Sequence, residues 1–322
     1  MRAVNRLWQS RLWQWLPTTV DRRVRVVAWA SLVSQTLIVG TGGAVRLTGS
    51  GLGCPTWPRC TPESFVATPE MGIHGIVEFG NRLLTFVLVI IAILAFAFVV
   101  RMRRERPELM RLSIALGLGI PAQAIIGGIT VLTDLNPWIV GFHFVVSAVL
   151  VSLATVLVVR VYRGPAGALV PLPRAVRPLA LATAVVVGVT VLVGIVVTGS
   201  GPHAGDGGAA RNGLDSELWQ HVHSWPAYAS FAGGVLLVIV ARRTGPALLQ
   251  RATRALVSVE LVQIGVGLAQ ARLGLPVILV GIHMVLACVL VSAMTLVLLS
   301  LRAPRAADGA EGAPIVRDAV SA

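Results

Sequence analysis

The chain of 322 residues is short of charge. Only 13% of its residues are charged, about half the share usual in soluble domains, and lysine is absent altogether. With 55% hydrophobic residues and a mean hydropathy of +0.80, a soluble globular domain is excluded and a polytopic membrane protein remains. All 27 basic residues are arginine and the net charge is +13, a value that nucleic-acid proteins also reach. Here the arginines cluster between apolar runs, and no soluble basic domain is left to hold DNA. A cleavable signal is lacking too: the N-terminus is rich in Arg and Trp, with no short apolar core before a small-residue cleavage site. The first apolar run is therefore expected to stay in the membrane. Cysteine is scarce, with Cys54, Cys60 and Cys288 alone. Without a second pair, or a histidine in the Cys54–Cys60 loop, zinc is disfavoured against a disulfide or a redox-active dithiol. Cys288, in mid-helix, reads as a small packing residue.

What is present is apolar length. Runs of about 20 residues, enough to span a bilayer, lie near 26–45, 72–100, 112–132, 138–159, 179–198, 218–240, 255–271 and 277–301. They predict an all-α integral membrane protein with eight transmembrane helices. The N-terminal tail, the second-to-third, fourth-to-fifth and sixth-to-seventh connections and the C-terminal tail hold 22 of the 27 arginines. These segments alternate with arginine-poor ones, so the positive-inside rule puts both termini in the cytoplasm and the Cys54–Cys60 loop outside. Trp8, Trp13 and Trp15 read as an interfacial anchor, with a partner contact as the alternative.

The chain also repeats itself. Val140-Gly-Phe-His143 matches Val280-Gly-Ile-His283 without a gap, and the same offset of 140 places Gln123 on Gln263 and Gly127 on Gly267. Thr48-Gly-Ser-Gly51 returns as Thr198-Gly-Ser-Gly201. If the second helix matches the sixth, Glu78-Phe-Gly-Asn-Arg82 falls on Gln220-His-Val-His-Ser224, pairing Asn81 with His223. Four spans per half make the repeats parallel, related by an axis along the membrane normal. The expected organisation is a cytoplasmic tail (1–25), a four-helix bundle (26–162), a linker (163–178), a second bundle (179–301) and a cytoplasmic tail (302–322).

Bundle cores hold cofactors through side chains of facing helices. His223 and His283 are expected level with each other in the second half, as bis-histidine ligation of a haem iron requires. A lone intramembrane histidine more often bonds a neighbouring helix, but a pair at an internal repeat tips the balance towards iron. His221 competes with His223; the two point about 200° apart, and the repeat favours His223. His203, in an outer loop, is expected to be solvated. In the first half His143 faces Asn81, a poor iron ligand. His74 lies two turns up from Asn81 on helix two: either His143 binds alone and leaves an open coordination site, or a tilted haem reaches His74, or His74 only lines the mouth of the site. His74, Glu78 and Asn81 form one polar stripe. Glu78 has two readings, a functional buried carboxylate or an i,i+4 partner for Arg82.

The run Arg46-Leu-Thr-Gly-Ser-Gly-Leu-Gly-Cys-Pro-Thr-Trp-Pro-Arg-Cys60, followed by Glu78-Phe-Gly-Asn-Arg82 and histidines on helices four, six and eight, resembles the heme A synthase family. The resemblance covers all eight spans. It implies an oxidoreductase that turns the C8 methyl of heme O into the formyl of heme A, with water-derived oxygen, for the terminal oxidase. It further implies haem b between His223 and His283, substrate haem at His143, a role for Glu78 in methyl oxidation, and Cys54 and Cys60 as the family's outer-loop pair. Heme O synthase, oxidase assembly factors and an electron acceptor are the implied partners, in a bacterial-type cytoplasmic membrane, and a homo-oligomer is compatible. Two departures stand out. Asn81 replaces the helix-two histidine, and Pro202–Asp215 lacks the cysteine pair of some members. The rival readings are a non-catalytic di-haem cytochrome b serving quinones, which needs neither Glu78 nor the cysteine loop, and a transporter, which predicts broken helices and midplane binding groups.

Overall fold

In lipid a backbone must satisfy its own hydrogen bonds, so apolar runs become helices. A computed structural model describes residues 11–305. Among them eight helices are long and apolar enough to cross a membrane. They are α1 (Arg22–Leu47), α2 (Gly72–Val99), α3 (Pro107–Leu132), α4 (Pro137–Arg163), α5 (Val176–Ser200), α6 (Ser216–Thr244), α7 (Ala247–Arg272) and α8 (Val277–Ser300). The protein is an all-α, multi-pass membrane protein. Arg2, Arg6 and Trp8 of one tail and Arg317 of the other lie outside the described residues.

Several ends are fixed by local chemistry. The Asp21 carboxylate accepts from the backbone N–H groups of Arg23 and Val24 and starts α1, while Asn136 caps α4 ahead of Pro137 and Asp215 caps α6; each satisfies donors that a helix N-terminus leaves orphaned. The turns into α4 and α8 repeat in detail. Asp134 and Leu135 have φ of 51° and 58°, and Gly274 and Leu275 of 76° and 60°. Leu135 N–H donates to Thr130 O and Leu275 N–H to Gln270 O, both at 2.8 Å. Left-handed backbone is uncommon outside glycine, so its return at the offset of 140 marks a structural duplication.

Helices α1 to α4 close into a ring of neighbours, as do α5 to α8, and the rings meet where α8 packs on α1 and α4 and where α4 packs on α5. Each ring is filled at its arginine-rich end. Val24, Phe98, Leu109 and Leu157 belong to one apolar core, and Val176, Leu237, Leu256 and Val297 to the other. That leaves room only towards the opposite end, where the Cys54–Cys60 loop lies.

The rings are tied at three levels. At the disulfide end Arg46 donates from Nε to His203 O (2.6 Å) and from Nη2 to Thr198 O (2.7 Å). In the middle Thr155 donates to Ser292, and Cys288 is buried with Val39 and Val151, the packing role expected of it. At the arginine end Arg163 donates to the carbonyls of Leu299 and Arg302. There, too, β1 (Ala166–Leu169) of the linker pairs antiparallel with β2 (Arg302–Pro304), a contact that apolar periodicity cannot reveal. Trp13 and Trp15, the described tryptophans of the N-terminal segment, are held by the protein itself. Arg101 donates to the carbonyls of Trp13, Gln14 and Leu16, and Arg23 stacks over Trp15.

Candidate functional site

A cavity of about 1080 Å³ occupies the disulfide-side half of the molecule and is lined by both rings. Pockets for one small ligand span roughly 300–1,000 Å³, so this space is large for a single occupant.

In the second ring, His223 of α6 faces His283 of α8 with ring centroids 6.3 Å apart and planes at 74°. A metal ion bound at about 2.0–2.1 Å by two imidazole nitrogens separates the ring centroids by roughly 6 Å, so the pair is set for one shared ion. Each ring lies in a glycine cradle: a Cβ on Gly194 would stand 2.9 Å from His223 Cε1, and one on Gly267 3.3 Å from His283 Cε1. Both Nδ1 atoms are buried without a hydrogen-bond partner. His221 is exposed. Among the described residues no group of three or more His, Cys, Asp or Glu side chains could hold a metal ion. Two histidines without a third protein ligand suit a metal that brings its other ligands with it, as haem does, and the residues fit such a group.

The first ring repeats half of this arrangement. His143 lies on Gly127, where a Cβ would stand 3.4 Å from Cε1. Gln123 donates to His143 O (3.2 Å) just as Gln263 donates to His283 O (3.1 Å), locking the register of each helix pair. Asn81 of α2, the repeat's counterpart of His223, lines the same cavity as His143. Its Oδ1 accepts from the Thr41 hydroxyl at 2.8 Å, and the repeat places Val191 where Thr41 stands. Asn81 is thus anchored to α1.

Glu78 lines the same cavity at 5% exposure. Its Oε2 accepts from Cys54 N–H (2.6 Å) and its Oε1 from Arg82 Nη2 (2.5 Å) and Nε (3.2 Å). Arg82 also donates to the carbonyls of Cys54, Thr56 and Arg59. The i,i+4 pair and the buried carboxylate are therefore one device: a counter-charge makes the carboxylate tolerable away from water, and together they fasten the loop to α2. Cys54 and Cys60, both fully buried, form a disulfide. The loop so held contributes Trp57, Pro58, Phe65 and Val66 to the cavity wall. Trp57 lies flat on Gly128, where a Cβ would meet the indole at 2.4 Å.

Not every polar group joins the site. His74 is exposed, its Nδ1 is 2.9 Å from the Ser50 hydroxyl, and it lies outside the cavity wall. His203, expected in water, is half-buried, with Nε2 2.9 Å from Leu275 O, because Arg46 draws its loop inwards. Three groups escaped the sequence reading. Trp57 and Thr41 leave no periodic signal. Glu260 does: it is an acid in the middle of an apolar span, and it lines the cavity at 3% exposure.

A model of the COX15-CtaA family, described as cytochrome oxidase assembly protein, matches residues 25–295. A protein of Methylobacterium radiotolerans called heme A synthase is 27% identical over 331 residues, covering 85% of this chain and 90% of its own. Heme A synthases of Geobacillus thermodenitrificans and Bacillus pumilus are 31% and 37% identical over 47% and 38% of this chain. Those matches span 49% and 39% of the two relatives. With the family model covering all eight helices, the chain belongs to the COX15-CtaA family of cytochrome oxidase assembly proteins.

Proposed function

We propose that the protein is a heme A synthase: it oxidises the C8 methyl of heme O to a formyl group, with haem b as its resident cofactor. With water as the oxygen source the change is R–CH3 + H2O → R–CHO + 4 H+ + 4 e−, the electrons passing to an external electron acceptor. The observation that carries this reading is the inequality of two otherwise repeated sites on one cavity, His223 with His283 in one ring and His143 with Asn81 in the other. Iron supplies the oxidising chemistry when the haems are bound, since no side chain oxidises an unactivated methyl.

The residues divide the remaining work. His223 and His283 would hold haem b. His143 holds the substrate from one face, and Asn81, tied to Thr41, leaves the other open. Glu78 faces the substrate as a fixed negative charge, able to steady positive charge developing at the methyl carbon or to accept its proton through a free lone pair. Trp57 and the rest of the disulfide loop exclude water from that side. The arginine-rich ends and both termini face the cytoplasm, so both haem sites lie towards the outer leaflet of a bacterial-type cytoplasmic membrane. Heme O synthase is the natural donor of substrate.

The test is to purify the protein from cells that also make heme O, extract its haems and identify them by chromatography and mass. Haem b with heme O, or with its hydroxylated or formyl product, is expected. Glu78→Gln should keep the haem b spectrum and lose heme A formation. Haem b as the only haem extracted, or formation at the normal rate in Glu78→Gln, refutes the assignment.

A further inference from the structure

Glu260 is a buried acid that the reaction as described does not use. It stands at the centre of α7, roughly 18–20 Å by helix rise from either end. Neither carboxylate oxygen has a hydrogen-bond partner, although the side chain is only 3% exposed. Its close neighbours on α6 are Gly234, where a Cβ would meet Oε2 at 2.6 Å, and the Ser230 hydroxyl, the one polar group within reach of the carboxylate, which is directed instead to Ala227 O. The ion pairs among the described residues are Arg23–Asp21, Arg82–Glu78 and Arg106–Glu108, and none reaches it.

Helix α7 packs on α6 and α8. The ionisable groups of those helices that share the cavity with Glu260 are Glu217, His221, His223 and Tyr228 of α6 and His283 of α8, and none is hydrogen-bonded to it. The arginines of α7 itself, Arg251, Arg254 and Arg272, lie towards its two ends. No positive side chain is therefore placed to neutralise a Glu260 carboxylate. A charge so placed is costly, and a proton removes the cost. At the repeat offset of 140 the first ring has Ile120, so the acid belongs only to the ring with the facing histidines.

Gly267, the cradle of His283, lies seven residues along α7, about 10 Å from Glu260. Two unit charges at that distance, in an effective dielectric of about 20, alter a proton affinity by roughly tenfold. Resting on the haem reading above, we propose that Glu260 is the proton acceptor linked to the haem between His223 and His283. It binds a proton more tightly once that haem gains an electron, and releases it when the electron passes to an external electron acceptor. Both particles come from the methyl oxidation, which liberates four of each per formyl group, and the proton taken up offsets part of the charge that the electron adds to the buried ring.

The experiment is a redox titration of the low-spin haem in the purified full-length protein between pH 5.5 and 9, with haem content as control. The wild-type midpoint should fall as pH rises by about 59 mV in all, the tenfold change in proton affinity expressed for one electron, with a slope of at most about 30 mV per tenfold change in proton activity. Glu260→Gln should keep its haem and flatten that slope. The reduced-minus-oxidised infrared spectrum of the wild type should show a protonated carboxyl band that survives in Glu78→Gln and vanishes in Glu260→Gln. A slope retained in Glu260→Gln, or a wild type with a flat midpoint and no carboxyl band, overturns the proposal while leaving the haem assignment intact. A protein without low-spin haem overturns both. If the variant does not fold, the wild-type infrared band decides alone.

Discussion

Gly194→Ala should expel haem from the second ring while leaving the helices at least as stable as before. The new Cβ would stand 2.9 Å from His223 Cε1, whereas carbon atoms settle at about 3.5–4.0 Å, so the ring has to retreat by roughly 0.6 Å or more. On the haem reading proposed above the retreat would be opposed, because an iron shared with His283 would fix where His223 must stand. Overpacking of this kind costs about 1–3 kcal/mol, a loss of roughly 5- to 140-fold in haem affinity. The backbone effect runs the other way, since alanine is favoured over glycine in a helix by about 1 kcal/mol. Haem-to-protein ratio, the low-spin optical band and haem loss on dilution in detergent measure the first effect; thermal unfolding of the haem-free protein measures the second. Gly267→Ala, at 3.3 Å from His283, should be milder, and Gly127→Ala, at 3.4 Å from His143, should leave the second ring untouched. Full haem occupancy in Gly194→Ala, or a second-ring loss greater in Gly127→Ala, would refute the cradle reasoning.

Asn81→His should add a low-spin haem signal in the first ring at the cost of the Thr41 hydrogen bond, about 0.5–1.5 kcal/mol; electron paramagnetic resonance that shows no new signal with heme O bound would refute the equivalence of Asn81 and His223. Arg82→Gln strands Glu78 and should destabilise the protein by about 3–5 kcal/mol. Arg82→Gln combined with Glu78→Gln should recover much of that loss in a thermal-shift assay, and equal destabilisation in the two proteins would show that the pair is not coupled.

The spans, the duplication and the facing of His223 and His283 were legible because each depends on a period: about 20 apolar residues per crossing, 140 residues per repeat, and equal depth from matching turns. The roles of the loops were not legible. Trp57 walls the site only because Arg82 and Glu78 hold its loop on α2, a contact between segments 23 or more residues apart. The two readings of Glu78 looked like rivals because sequence names a partner at i,i+4 but not the Cys54 N–H that shares the carboxylate. Arg46 shows the same limit. As a charge at the arginine-poor end it is merely an exception to a count; in the structure it pulls the His203 loop down and takes that histidine out of water. Glu260 was readable as a lone acid in an apolar helix, and its isolation became clear only when the neighbouring faces of α6 and α8 were in place.

The three ties between the rings have a mechanical consequence. A body riveted at both faces and at mid-depth has no hinge, so its two halves cannot rock to open one side and then the other. Cargo has to pass between helices rather than through a gate. On the haem reading proposed above, a porphyrin, being soluble in lipid, would enter from the side where two neighbouring helices of one ring part briefly. Residence time then depends on how often two neighbouring helices separate by a few ångströms, a stiffness set independently in each ring, so one can hold its occupant for the life of the protein while the other exchanges.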